Sequence, residues 1–121
     1  MMKQEQPQDI RERSFEFAAR IVNLCKKLET SPGISRTLSN QLLRSGTSIG
    51  ANIEEAHGSQ SKRDFTAKMH ISCKEARETH YWLRLLVKCE IISEPQLSDL
   101  LDESNQLVAI LTTIVKKSGE A

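Results

Sequence analysis

Arg44, Ser48, Asn52 and Glu55 follow one another at steps of four, four and three, which on a helix places them along one edge. A guanidinium, a hydroxyl, an amide and a carboxylate in a row are the raw material of general acid–base chemistry. One carboxylate with neither a paired acid nor a nearby histidine, however, proposes no reaction. The alternative is a structural polar track, a buried hydrogen-bond network that fixes helix register, because an interior Asn or Glu must find partners or be costly.

Other groupings also combine residue types that could carry chemistry. His70, Cys73 and His80 share a helix face with His57 just upstream, and imidazole with thiolate is a set that zinc accepts. Arg77 lies among them, and the spacing misses the usual ligand pairs, so no metal site is expected. The serines near Gly46 sit in mid-helix without a Gly-x-Ser-x-Gly elbow, which argues against hydrolase chemistry. Gly46 and Gly50 lack the strand-to-helix setting and the lysine of a phosphate-binding loop. The sequence therefore predicts no enzyme and no cofactor. Basic residues cluster as Lys62, Arg63 and Lys68, and as Arg77, Arg84 and Lys88. Acids interleave and aromatic stacking partners are few, so most of these read as a solvated face. Lys62, Arg63, Lys68 and Arg84 are the candidate contacts to RNA or DNA.

The elements that must position these residues are helices. Turn residues gather at Thr30 to Gly33, His57 to Ser61 and Ile92 to Pro95, and the segments between them carry helical period. The first helix is expected from Asp9 to about Leu28, with Asp9 and Glu12 at capping-box spacing and Phe15, Ala18, Val22, Cys25 and Leu28 facing the core. The second is expected from near Ser35 to about Ala56, with Leu38, Leu42, Ser45, Ile49, Asn52 and Ala56 inward. Gly46 and Gly50, among Ser45, Ser48 and Ala51, let another backbone approach closely. The third follows Ser61 as cap. The fourth follows Ser93, with Pro95 in its first turn, Gln96 completing a capping box, and a seam of Leu97, Leu100, Ser104, Leu107, Leu111 and Ile114. Short loops between four such helices predict an all-α, antiparallel up-down-up-down four-helix bundle at 9–118, preceded by a loose tail at 1–8.

At 121 residues the chain suits one domain, and 17 basic against 16 acidic residues leave a formal charge of +1, too little for a strong global field. Three cysteines fit reduced thiols better than a disulfide framework. The start MMKQEQPQDI has no signal-peptide core, and the longest apolar run, Leu107 to Leu111, cannot span a bilayer. The expected location is the cytoplasm, with no membrane partner. In the third helix Phe65, Met69, Ser72, Ala76, Leu83 and Val87 form one apolar stripe. Ile71, Trp82, Leu85 and Cys89 form a second, nearly opposite. One core can absorb only one stripe fully, so the second is the candidate oligomer interface.

The stretch QLLRSGTSIGANIEEAHGSQSKRDFTAKMHISCKEARETHYWLRLL, from Gln41 to Leu86, resembles the signature of the bacterial four-helix-bundle proteins, also called 23S rRNA-intervening-sequence proteins. The resemblance runs from about Phe15 to Lys117. It rests on Arg44-Ser45, Ser48-Ile49, Ala51-Asn52-Ile53 and Glu55, with Glu78 and Leu83 in the third helix. It implies an antiparallel four-helix bundle assembled as a ring-like homopentamer, with Arg44, Ser48, Asn52, Glu55 and Glu78 as a structural polar motif. Some relatives are encoded inside intervening sequences of large ribosomal RNA genes. Others act beside reverse transcriptases in diversity-generating retroelements, where a basic pentamer binds nucleic acid. This chain departs from the pattern in its near-neutral charge, and in Glu54-Glu55-Ala56-His57-Gly58, where many relatives have Ala-Glu-Gly after Asn-Ile.

Overall fold

Asp9 opens the first helix as its sequence type suggests: its carboxylate accepts from the Arg11 amide at 3.0 Å, relieving one of the orphan donors of a helix start. In the computed structural model, which describes residues 9–119, the chain forms α1 (Ile10–Leu28), α2 (Ile34–His57), α3 (Lys62–Lys88) and α4 (Glu94–Gly119). The segment 1–8, read as a tail, lies outside the described residues. The Ser61 hydroxyl accepts from the Asp64 amide at 3.0 Å and so caps α3. At the start of α4, Gln96 reaches back to the Ser93 amide at 3.4 Å and accepts from the Ser93 hydroxyl at 2.9 Å. The capping box is thus closed by the glutamine rather than by the serine.

Helix α3 ends in a Schellman motif. Glu90 takes a left-handed φ of 59°, the Glu90 amide donates to the Val87 carbonyl and the Ile91 amide to the Leu86 carbonyl, both at 3.0 Å. Gly33, with φ of 75°, supplies the other positive-φ corner among the described residues, before α2.

Paired residues rise along one helix as they fall along the next. Arg11, Ser14, Ile21 and Cys25 of α1 meet Glu54, Gly50, Gly46 and Ser39 of α2 in that order. Ser72 and Thr79 of α3 meet Ile49 and Ser45 of α2. Thr66, Cys73 and His80 of α3 meet Ser118, Thr112 and Ser104 of α4. Each consecutive pair is therefore antiparallel, giving the up-down-up-down bundle that short loops favour. Helix α1 packs extensively on α2 but touches α4 sparingly. The α1–α4 gap is bridged by Arg13, whose guanidinium grips both Glu103 carboxylate oxygens at 2.9 and 2.7 Å and the Gln106 amide oxygen at 2.9 Å.

The core is apolar and mostly aliphatic around Phe17: Phe17, Ile21, Leu42, Ile49, Ile53, Met69, Leu83, Leu86, Leu97, Leu107 and Leu111 are all essentially inaccessible. The seam expected of α4 is buried from Leu97 to Leu111, with Ile114 half-buried. The face expected of α1 is rotated. Its buried residues are Ser14, Phe17, Ile21, Cys25 and Leu28, whereas Phe15 is 76% exposed and Val22 37%. Two stripes compete in α1 and converge at Cys25 and Leu28; the glycines of α2 decide between them. Gly46 receives the Ile21 side chain, and Gly50 lies against Ser14.

Candidate interaction surface

Arg44 projects from α2 between two acids of α3. It pairs with Glu75 at 3.2 Å and with Glu78. Glu78 also accepts from the indole Nε1–H of Trp82 at 2.9 Å, so one carboxylate joins α2 to an aromatic of α3. This cluster opens to solvent: the Arg44 side chain is 48% accessible and that of Glu78 35%, which makes it a clasp on the surface rather than a buried network.

The rest of the polar motif is not part of that clasp. The Ser48 hydroxyl donates to the Arg44 carbonyl at 2.6 Å, and the Asn52 amide donates to the Ser48 carbonyl at 2.9 Å, both back along α2. Glu55 is exposed. The buried polar contacts between α2 and α3 come instead from small hydroxyls. Ser72 donates to the Ile49 carbonyl at 2.8 Å, and Thr79 pairs with Ser45 at 2.9 Å. Among the described residues, no buried side-chain nitrogen or oxygen lacks a partner.

The groups that suggested metal or acid–base chemistry are otherwise engaged. His80 Nδ1 lies 2.8 Å from the Ser104 hydroxyl, and that hydroxyl donates to the Leu101 carbonyl at 3.0 Å. Nδ1 and the Ser104 hydroxyl form one hydrogen bond, whose donor is set by the tautomer of the ring. Burial first, then repulsion by Arg84, holds His80 below its ordinary pKa of 6.5, against a raising contact with the Leu101 backbone. Cys73 is buried beside Thr112 at 3.4 Å. Burial pushes the Cys25 thiol up, tempered by its contact with Ser39; an unreactive protonated thiol is the result. Among the described residues no three His, Cys, Asp or Glu side chains converge on a point that could hold a metal ion.

The stripe Ile71, Trp82, Leu85 and Cys89 divides. Ile71 is 40% exposed and Cys89 exposed, while Leu85 is half-buried and Trp82 packs partly against the core. Apolar exposure also lies where the sequence placed core: Phe15 and Val22, two turns apart on α1, each follow a residue seated at the α1–α2 contact. Leu43 of α2, 36% exposed, stands one turn before Gly46 and borders the same seam. The competing α1 stripe was visible in the sequence, but nothing in one helix alone tells which stripe a neighbour will accept.

Lys62, Arg63, Lys68 and Arg84 do not make one patch. Lys62 and Arg63 open α3, Lys68 is half-buried further along, and Arg84 is about 30 Å from the start of the helix at 1.5 Å per residue. Arg84 instead lines a groove with Tyr81, Lys88, Glu94 and Leu101.

Comparison with known proteins agrees with this architecture. The family description "23S rRNA-intervening sequence protein" matches residues 6–113. Among solved structures, one protein of unknown function from the S23 ribosomal protein family of Bacteroides thetaiotaomicron VPI-5482 is 44% identical. The alignment covers 89% of this chain and 99% of that one, with a TM-score of 0.82. No curated protein matches the chain. No helix among the described residues is long and apolar enough to cross a membrane.

Proposed function

The chain belongs to the 23S rRNA-intervening sequence protein family, and from that premise we propose that it is a non-enzymatic, self-associating helical module, the ring of five implied by the resemblance being its expected stoichiometry. The observation that carries this reading is the exposure of Phe15, at 76%, together with Val22 and Leu43 beside the α1–α2 seam. Apolar side chains grouped in this way commonly mark contacts between proteins. Ile71 and Tyr81, 40% and 51% exposed on α3, offer a second and different surface. Two unlike faces suit the head-to-tail contact from which rings close.

The non-enzymatic part is supported by the full burial of Ser104, the hydroxyl paired with His80, which closes it off from any substrate. Cytoplasmic residence is supported by three cysteines that remain free thiols.

The test is native mass by light scattering at tens of micromolar protein. The reading expects an oligomer that Phe15→Glu, alone or with Val22→Glu, converts to monomer while helicity by circular dichroism stays unchanged. A monomeric wild-type protein overturns it. Ile71→Glu reports separately on the α3 stripe, and Trp82→Glu is the weaker probe because Trp82 also packs inside the bundle.

A further inference from the structure

Helices α1 and α4 touch sparingly, and between them lies a cavity of about 260 Å³ lined by Arg13, Glu16, Phe17 and Arg20 of α1 and Glu103 of α4. The α1 residues fall at steps of three, one and three, which puts them on the flank turned to α4, away from Phe15 and Val22. One end of the cavity is organised in advance. Arg13 holds both Glu103 oxygens through Nε and Nη2, and Gln106 accepts from Nη2 while its own amide donates to Asp102 at 2.8 Å. Arg13 Nη1 is left as a donor without a partner among the described residues, and the Glu103 carboxylate keeps lone pairs to spare. Glu16 and Arg20 stand at i and i+4, the spacing and order that favour a pair on a helix. They make none: both are exposed, and neither enters an ion pair of the described structure.

We propose that this cavity binds a small free α-amino acid with a neutral amide side chain, of the size of glutamine or asparagine. Arg13 and Glu103 neutralise one another, so the charges left to a ligand are one carboxylate, Glu16, and one guanidinium, Arg20. An ammonium and a carboxylate on one carbon complement them: Glu16 accepts from the ammonium, and Arg20 donates to the carboxylate. Arg13 lies two turns from Arg20, about 10 Å along α1, in the direction the ligand side chain would take. There an amide satisfies both groups, its oxygen accepting from Arg13 Nη1 and its NH₂ donating to Glu103, whereas a side-chain carboxylate meets Glu103 as a like charge. Phe17 is only 1% exposed, so the cavity has little apolar surface for a leucine or phenylalanine side chain. Its volume of about 260 Å³ falls below the roughly 300–1,000 Å³ that drug-sized ligands occupy. The assembly state does not enter into this, since every group named lies on one protomer.

The experiment titrates L-glutamine into the full-length, isotope-labelled protein and follows backbone amide shifts by nuclear magnetic resonance, with L-glutamate, L-leucine, succinate and putrescine as comparison ligands. Saturable shifts centred on Arg13, Arg20 and Glu103 are expected, with a Kd on the order of 0.1–1 mM, and L-glutamate and L-leucine should bind at least about ten-fold more weakly. Glu16→Gln and Arg20→Gln, both at exposed positions, should each raise the Kd for L-glutamine at least about ten-fold. Arg36→Gln, exposed on α2, is the matched control and should leave it unchanged. Glu103→Gln removes the like charge that faces the ligand side chain and should reverse the preference, L-glutamate then binding more tightly than L-glutamine; a merely structural role for Glu103 would weaken both alike. Thermal melting checks that each variant is folded, and should Glu103→Gln not be, the two exposed variants decide. Absence of saturable shifts up to about 20 mM L-glutamine, binding of L-glutamate, succinate or putrescine as tight as that of L-glutamine, or an unchanged Kd in Glu16→Gln overturns the proposal.

Discussion

Ile21 of α1 occupies the notch that Gly46 leaves in α2: a Cβ built on Gly46 would stand 2.9 Å from Ile21 Cγ2, 3.0 Å from Cγ1 and 3.3 Å from Cβ. Ile21 is fully buried and β-branched, so it has no flexible end to move aside. Gly46→Ala should therefore destabilise the bundle by about 1–2 kcal/mol, overpacking outweighing the gain of about 0.5–1 kcal/mol in helix propensity. Gly50→Ala, whose Cβ would meet Ser14 at 3.2 to 3.5 Å, should be nearly neutral. Urea melts of the two variants check the contrast, and equal effects would show that the notch does not set the α1–α2 distance.

The Arg44 clasp has a charge-dependent prediction. Removing Arg44 leaves Glu75 and Glu78 as neighbouring like charges on one face of α3, so Arg44→Ala should cost about 0.5–1 kcal/mol at low salt and less at high salt. Adding Glu78→Gln should recover part of that loss, since it removes one of the repelling carboxylates and keeps an acceptor for Trp82. A double-mutant cycle in urea at two ionic strengths measures it; a loss insensitive to salt would assign Arg44 a packing role instead.

These two relationships show what was legible in the chain. Turn chemistry placed four helices, and the Asp9 and Ser61 caps form where their residue types and positions say they should. The α4 seam needed no partner to be read, because its apolar residues leave one choice of face. Helix α1 leaves two, and which one is buried depends on the shape of α2, a property of the pair. The polar motif was legible as a set of residues but not as a set of contacts. Ser48 and Asn52 bond to their own helix, while the partners of Arg44 lie more than thirty residues away.

Glu90 should be improvable. It holds the left-handed position of the α3 Schellman motif with φ of 59°, where a Cβ is a steric cost that glycine avoids. Glu90→Gly should stabilise the protein by about 0.5–1 kcal/mol without altering the bundle. A rise in melting temperature of a few degrees supports this. A fall would mean that the Glu90 side chain contributes more than its backbone strain costs.

The last prediction concerns pH and follows from His80. Its folded-state pKa lies below the ordinary 6.5, chiefly through burial and then through Arg84. The unfolded chain therefore takes up the proton first as pH falls, and linkage requires stability to decline below about 6.5. Above that value both states are neutral at this position and the contribution is flat. Protonation brings a second cation beside Arg84. His80→Gln, which retains an amide donor for Ser104, should flatten the decline in melting temperature between about pH 7.5 and 5.5, above the usual range of carboxylate titration. An unchanged slope in that variant would place the pH sensitivity on another group.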